Sequence, residues 1–112
     1  MSPRRSEVWL VDFGDPVGHE QAGMRPAVVV SADPLNDSRA GVVVVIPTTT
    51  TYRGLPKHVE IDSGSSGLDE ISYAKCEDIK SISEQRLMRR LGAVEDGVTD
   101  KIARVLRLLL DL

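Results

Sequence analysis

The chain has 112 residues, 41% of them hydrophobic and 28% charged, a size and balance that suit one domain with a single modest core and exclude disordered and fibrous classes. A net charge of −3 and a pI near 5.3 argue against broad nonspecific nucleic-acid binding while leaving room for a local basic cleft. No apolar run is long enough to cross a bilayer, Glu7 and Asp12 interrupt the segment after Arg4 and Arg5, and the lone Cys76 has no partner for a disulfide; a reducing, cytoplasmic setting is expected.

Residues 7–13 read as a strand rich in β-branched and aromatic side chains, ended by Gly14, Asp15 and Pro16, with Trp9 and Phe13 on one face as core or interface packing. Residues 14–24, with three glycines and a proline, read as a surface loop. The loop passes at Arg25 and Pro26 into a continuous apolar run to Ser31, and the rest of the chain is organised around this junction. Proline has no N–H for a sheet ladder, so Pro26 is expected at the first position of a strand. An arginine held there has a rigid base and an open mouth. It can satisfy a carboxylate at the strand end, or its planar fork can grip two oxygens of one phosphate.

Residues 32–38 are dense in turn formers, and residues 42–46 form the most β-biased run, expected to be buried on both faces and ended by Pro47. Four threonines follow, Thr48 to Thr51, as strand formers or as hydroxyls presented at a strand exit. A turn at residues 53–56 precedes an alternating strand over residues 57–62, in which His58 should face solvent. Residues 63–67 are a small-residue turn, and residues 71–78 a strand carrying Cys76 as a buried, inert thiol. A turn or helix from Ser81 or Ser83 to Arg89 and a short strand over residues 91–94 come next. The period then changes: Val98, Ile102, Val105, Leu106, Leu109 and Leu112 recur at helical spacing, with Asp96 as N-cap. Leu108 and Leu110 widen that stripe and suggest a subunit contact. About six short strands and one terminal helix, without βαβ alternation, predict a mainly β fold: a strongly bent antiparallel sheet or barrel.

The sequence lacks a glycine-rich phosphate loop, a GxSxG elbow and any His/Cys cluster at metal spacing. Its two histidines, His19 and His58, would have to converge to act as a ribonuclease pair. Arg25, a hydroxyl from the threonine row and a carboxylate such as Glu20 could instead build a site without metal. Cutting RNA through its own 2′-hydroxyl requires a proton acceptor, donors aimed at the growing phosphorane charge, and alignment.

Residues 7–13, 18–31, 45–49 and 66–68, in this order and spacing, resemble the MazF/PemK family of toxin endoribonucleases over nearly the whole chain. The resemblance implies an SH3-like barrel of the MazF/PemK/CcdB type, a homodimer, and sequence-specific cleavage of single-stranded RNA without metal or cofactor. The products would be a 2′,3′-cyclic phosphate and a 5′-hydroxyl, and a small MazE-like antitoxin would occupy the dimer groove. Carried over by position, the catalytic arginine falls on Arg25 and the catalytic threonine on Thr49, with Thr48 as the alternative, while Glu20 matches an acidic position proposed as a base. Phe13, Gln21, Thr48, Leu55, Pro56, Lys75 and Glu77 are the RNA-binding candidates. His19 stands where relatives carry a small serine and Met24 where some carry a histidine, which leaves the proton acceptor open. A non-enzymatic gyrase poison of the CcdB kind shares the barrel and terminal helix and is the rival reading, followed by an inactive RNA-binding dimer. The recognition sequence and the choice among messenger, ribosomal and transfer RNA are not legible.

Overall fold

The runs richest in β-branched residues lie side by side at the centre of one antiparallel sheet. The computed structural model describes residues 2–14 and 23–112. Strands β1 (Glu7–Asp12), β2 (Met24–Val29) and β3 (Val42–Thr49) form a meander. Strand β7 (Leu87–Ala93) returns along the outer side of β1. The other edge of β3 is shared: β6 (Lys80–Ser83) pairs with Val42 to Val45, and β5 (Ser72–Lys75) pairs with Thr48 and Thr49 and carries β4 (His58–Ile61) outside it. One strand with two partners on one edge must bend the sheet, and the result is the expected barrel-like, mainly β fold. A short helix α1 (Asp33–Asn36) links β2 to β3, and helix α2 (Asp96–Leu110) closes the chain. No helix among the described residues is long and apolar enough to cross a membrane.

Both faces of the sheet are buried, which explains the unbroken apolar runs. Along β2 the side chains alternate: Val28 joins Val8, Ile46 and Ile61 under Ile102 of α2, while Ala27 and Val29 join Val11, Val43 and Val45 with Phe13 and Ile82. Trp9 packs against this second core, as its even spacing from Phe13 predicted. Cys76 is fully buried, and burial together with the charge of Glu77 pushes its thiol up to about 11, so it is unreactive at neutral pH.

Several local expectations are corrected. Pro26 is the third residue of β2, not the first, and Pro47 lies within β3 instead of ending it. Both are tolerated because of their neighbours: the registered β2–β3 pairs stop at Ala27 and Pro47, and on the other edge Pro47 falls between the end of β6 and the start of β5. The turn at residues 32–38 contains α1, with Pro34 in its first turn. The strand predicted over residues 71–78 stops at Lys75, and Cys76–Asp78 is a 3₁₀ turn. The stretch from Ser81 to Arg89 is mostly strand: it holds the last three residues of β6, a 3₁₀ turn at Glu84–Arg86 and the first three residues of β7. Pairing with β3 and β1 overrides its local propensity, although Ser83 does cap the turn by accepting from the Gln85 N–H at 3.2 Å. Helix α2 begins one residue earlier than expected, with Glu95 at the N-cap position. His58 does not face solvent: its side chain is only 3% exposed, because the 3₁₀ turn after β5 covers it and brings the Glu77 carboxylate 3.0 Å from Nε2. Beyond the buried Ile102, Leu108, Leu110 and Leu112 stand open, 83%, 51% and 85% exposed.

Candidate active site

The two prolines make the site. Neither can donate to a ladder, and past the Ala27–Pro47 pair β2 and β3 run on without registered partners between them. A side-chain bond takes the place of the missing ladder: the Thr48 hydroxyl donates to the Pro26 carbonyl at 3.1 Å. Next to this join lies a hollow of about 450 Å³ lined by Arg25 of β2 and by Thr48, Thr49, Thr50 and Thr51 at the end of β3. Leu10 of β1, cross-strand from both Pro26 and Arg89, lines it as well, and so does Arg89.

The remaining rim comes from the turn before β5. Gly67 has φ +76°, and a Cβ there would stand 1.9 Å from the Leu91 carbonyl oxygen; one on Gly92 would stand 2.3 Å from the Ser65 carbonyl oxygen. Only glycines allow this backbone-to-backbone contact. The Ala93 N–H donates to the Ser65 carbonyl at 3.0 Å and fastens the turn to β7. Leu68 is thereby buried in the core while Asp69 and Glu70 stay exposed at the hollow. Two guanidinium groups, two carboxylates and a row of hydroxyls therefore share one concavity, a set that can hold an anion and accept a proton beside it.

The two candidate threonines differ in what their hydroxyls have left to offer. Thr48 is 4% exposed and its hydrogen is committed to the Pro26 carbonyl. Thr49 is half-buried, and its oxygen accepts from the Thr51 N–H at 3.2 Å, which leaves its hydrogen available.

Of the residues expected at the site, the structure brings Arg25, Thr48 and Thr49 together. Glu20 and Gln21 lie outside the described residues, as does His19; the flanking backbone is closed by bonds from the Phe13 N–H to the Gly23 carbonyl at 2.9 Å and from the Gly23 N–H to the Gly14 carbonyl at 2.8 Å. Phe13 is in the core, with the Lys80 ammonium 5.5 Å from its ring centre. Leu55 and Pro56 line a neighbouring cleft, Lys75 pairs with Asp78 at 3.0 Å, and Glu77 is engaged with His58. Asp69, Glu70 and Arg89 were missed from the sequence. The available signal was the Ser66-Gly67-Leu68 segment, whose tight turn delivers the acids, and the failure of residues 87–91 to hold a helical stripe. Among the described residues no group of three or more His, Cys, Asp or Glu side chains could hold a metal ion.

Comparison with known proteins bears on the family and the fold. The sequence model described as "PemK-like, MazF-like toxin of type II toxin-antitoxin system" matches residues 4–110. The chain is 36% identical to endoribonuclease MazF9 of Mycobacterium tuberculosis across 97% of each chain. It is 34% identical to endoribonuclease EndoA of Bacillus subtilis, across all of this chain and 97% of that one. Its fold superposes on MazF from Deinococcus radiodurans with a TM-score of 0.85 at 24% identity, covering 100% of this chain and 99% of that one. It also superposes on a mycobacterial endoribonuclease solved in complex with its cognate antitoxin, with a TM-score of 0.82 at 28% identity over 99% and 97% of the two chains. The chain belongs to the PemK-like, MazF-like toxins of type II toxin–antitoxin systems.

Proposed function

We propose that this chain is an endoribonuclease that cuts single-stranded RNA, messenger RNA in the cell, at a short recognition sequence and thereby stops translation and growth. The observation that carries the reading is that Arg25 and Thr49, far apart in the chain, line the same hollow. In this mechanism the RNA 2′-hydroxyl loses its proton to a carboxylate and attacks the adjacent phosphorus. The bond to the 5′-oxygen breaks, that oxygen takes up a proton, and the ends are a 2′,3′-cyclic phosphate and a 5′-hydroxyl. Arg25 holds two phosphate oxygens through its planar fork and Thr49 donates to the charge that grows in the transition state. Glu20 is the proposed proton acceptor, and among the described residues Asp69 and Glu70 are the carboxylates that line the hollow. Arg89 adds a second positive group for the RNA backbone. The proton acceptor and the groups that grip the phosphate are side chains of the protein, the proton for the leaving oxygen is drawn from solvent, and no step is routed through a metal ion or cofactor.

The same reading makes 1–112 one toxin domain working in the cytoplasm as a homodimer, to which the exposed leucines at the end of α2 offer an apolar face, and a MazE-like antitoxin its inhibitor. The relatives named as endoribonucleases favour it over gyrase poisoning. The test is a digest of a long RNA in the presence of a chelator, with analysis of the ends. Cyclic phosphate ends are expected, and Arg25→Ala should slow their release by about a hundredfold or more. An Arg25→Ala protein that cuts at the unaltered rate would reject the assignment. Intact RNA together with trapped, cleaved DNA would mark a gyrase poison.

A further inference from the structure

A second cleft opens one strand away from Thr49. Thr49 of β3 pairs across the ladder with Tyr73 of β5, and Tyr73 pairs in turn with Glu60 of β4. This row leads from the hollow into a cleft of about 250 Å³ lined by Tyr52, Arg53, Gly54, His58, Glu60 and Tyr73. It is smaller than the roughly 300 Å³ at which pockets for drug-sized ligands begin, and on the scale of a single ring system.

The chain has four aromatic residues, one Trp, one Phe and two Tyr. Trp9 and Phe13 pack in the core, so both tyrosines are placed here. Their rings meet edge to face, 5.5 Å between centroids and 61° between planes. Tyr52 is 72% exposed, yet its position is set from two sides. The edge-to-face contact with Tyr73 holds one side, and Gly54, at φ +64°, lets the hydroxyl end come so near that a Cβ there would stand 3.2 Å from it. Leaving a large ring in water forfeits the stabilisation of burying it. A ring both exposed and oriented is instead what an unstacked base needs, a flat π face already in place. The walls suit the edge of such a base. Arg53 and Glu60 are exposed and offer donors and acceptors respectively, while His58 is held rigid by Glu77.

We infer that Tyr52 and Tyr73 form a stacking subsite for one unpaired nucleobase of the RNA, next to the phosphate held by Arg25 and Thr49. The inference rests on the RNA-cutting reading and adds to it the place where the strand is gripped beside the cut. Pre-ordering by Tyr73 and Gly54 lowers the cost of fixing the ring when the base arrives.

The test separates gripping from cutting. A fluorescein-labelled pool of short RNAs with randomised sequence and 2′-O-methyl groups throughout cannot be cut through its own 2′-oxygen, and fluorescence anisotropy reads its binding. Tyr52→Ala should weaken binding about tenfold, the loss that removing one stacked base commonly causes, while Tyr52→Phe, which keeps the ring, should stay within about twofold. With cuttable RNA, the sequences flanking the cut should lose their preference at one position in Tyr52→Ala. Equal binding by the unaltered protein and Tyr52→Ala would overturn the subsite. Unaltered protein that binds the pool but cuts no RNA would overturn the nuclease reading and leave the stacking comparison standing. Protein that does not bind the pool at all would overturn the subsite, whatever it does to cuttable RNA.

Discussion

The two halves of β3 share a strand, a propensity and a neighbour, and they do opposite things. From Val42 to Val45 the strand is paired with β6 along its length and is joined on the other edge by β2 at Val45 and by the Val30 N–H, which donates to the Val44 carbonyl at 2.9 Å, and Val43 and Val45 are completely buried. From Thr48 to Thr49 it keeps β5 on one edge and has left the β2 ladder on the other, and the side chains turn from valine to threonine. The dividing point is Pro47, with Pro26 beside it on β2. A closed ladder provides stability; an interrupted one provides access. The protein sets them end to end so that the rigid half fixes the position of the working half.

If that division holds, removing the hydroxyl donor at Thr49 should change activity without stability, and a variant in the closed half should do the reverse. The largest effect is expected from Thr49→Val, which keeps the shape and removes the donor: cleavage should fall by about a hundredfold in kcat, with stability within about 1 kcal/mol. Thr48→Val sharpens the contrast, since it loses only the bond to the Pro26 carbonyl; it should cost about 1 kcal/mol in urea unfolding and leave cleavage within about tenfold. If Thr48→Val proved the more damaging to kcat, the roles of the two residues would be exchanged.

Val45→Ala, in the closed half, should lower stability by about 1.5–3 kcal/mol, read as a shift of the urea midpoint, and leave kcat of the folded protein unchanged. The smallest effect concerns Glu7, at the far end of the same sheet. Burial pushes its carboxyl up, but hydrogen bonds from the Arg4 N–H, Arg90 and the Trp9 indole outweigh that and hold it below the ordinary value of 4.5. The stabilisation is therefore complete above pH 4.5 and is lost as the pH falls through the lower folded-state value. The stability difference between the unaltered protein and Glu7→Gln should narrow in acid, as measured by urea unfolding along a pH series, and a difference that widened there would contradict the assigned contacts.

The division in β3 was only half legible beforehand. The valine run and the helical period of Val98, Ile102, Val105 and Leu106 are strong local signals, and the structure follows them. Arg25 could be singled out because a proline follows it where a polar loop becomes apolar. That β3 continues through Pro47 could not be read, because proline is tolerated there only by virtue of where β6 ends and β5 begins, a non-local fact. Residues 80–93 misled for a related reason: Arg89 and Arg90, on a strand that among the described residues pairs only with β1, mask the alternation of Leu87 and Leu91. His58 was misplaced because alternation tells which face a residue takes and not whether a turn later folds over that face. Asp69, Glu70 and Tyr73 reach their places only through the close contact at Gly67 and the β3–β5 register, neither of which a linear reading contains.

Because the gap beside Thr48 is kept by two residues that have no hydrogen to give, no rearrangement of side chains can zip it shut. An opening maintained by a latch can be released or jammed; among the described residues this one has no latch. The protein thus carries its cleft ready-made, and a partner that fills it from outside meets a space already formed.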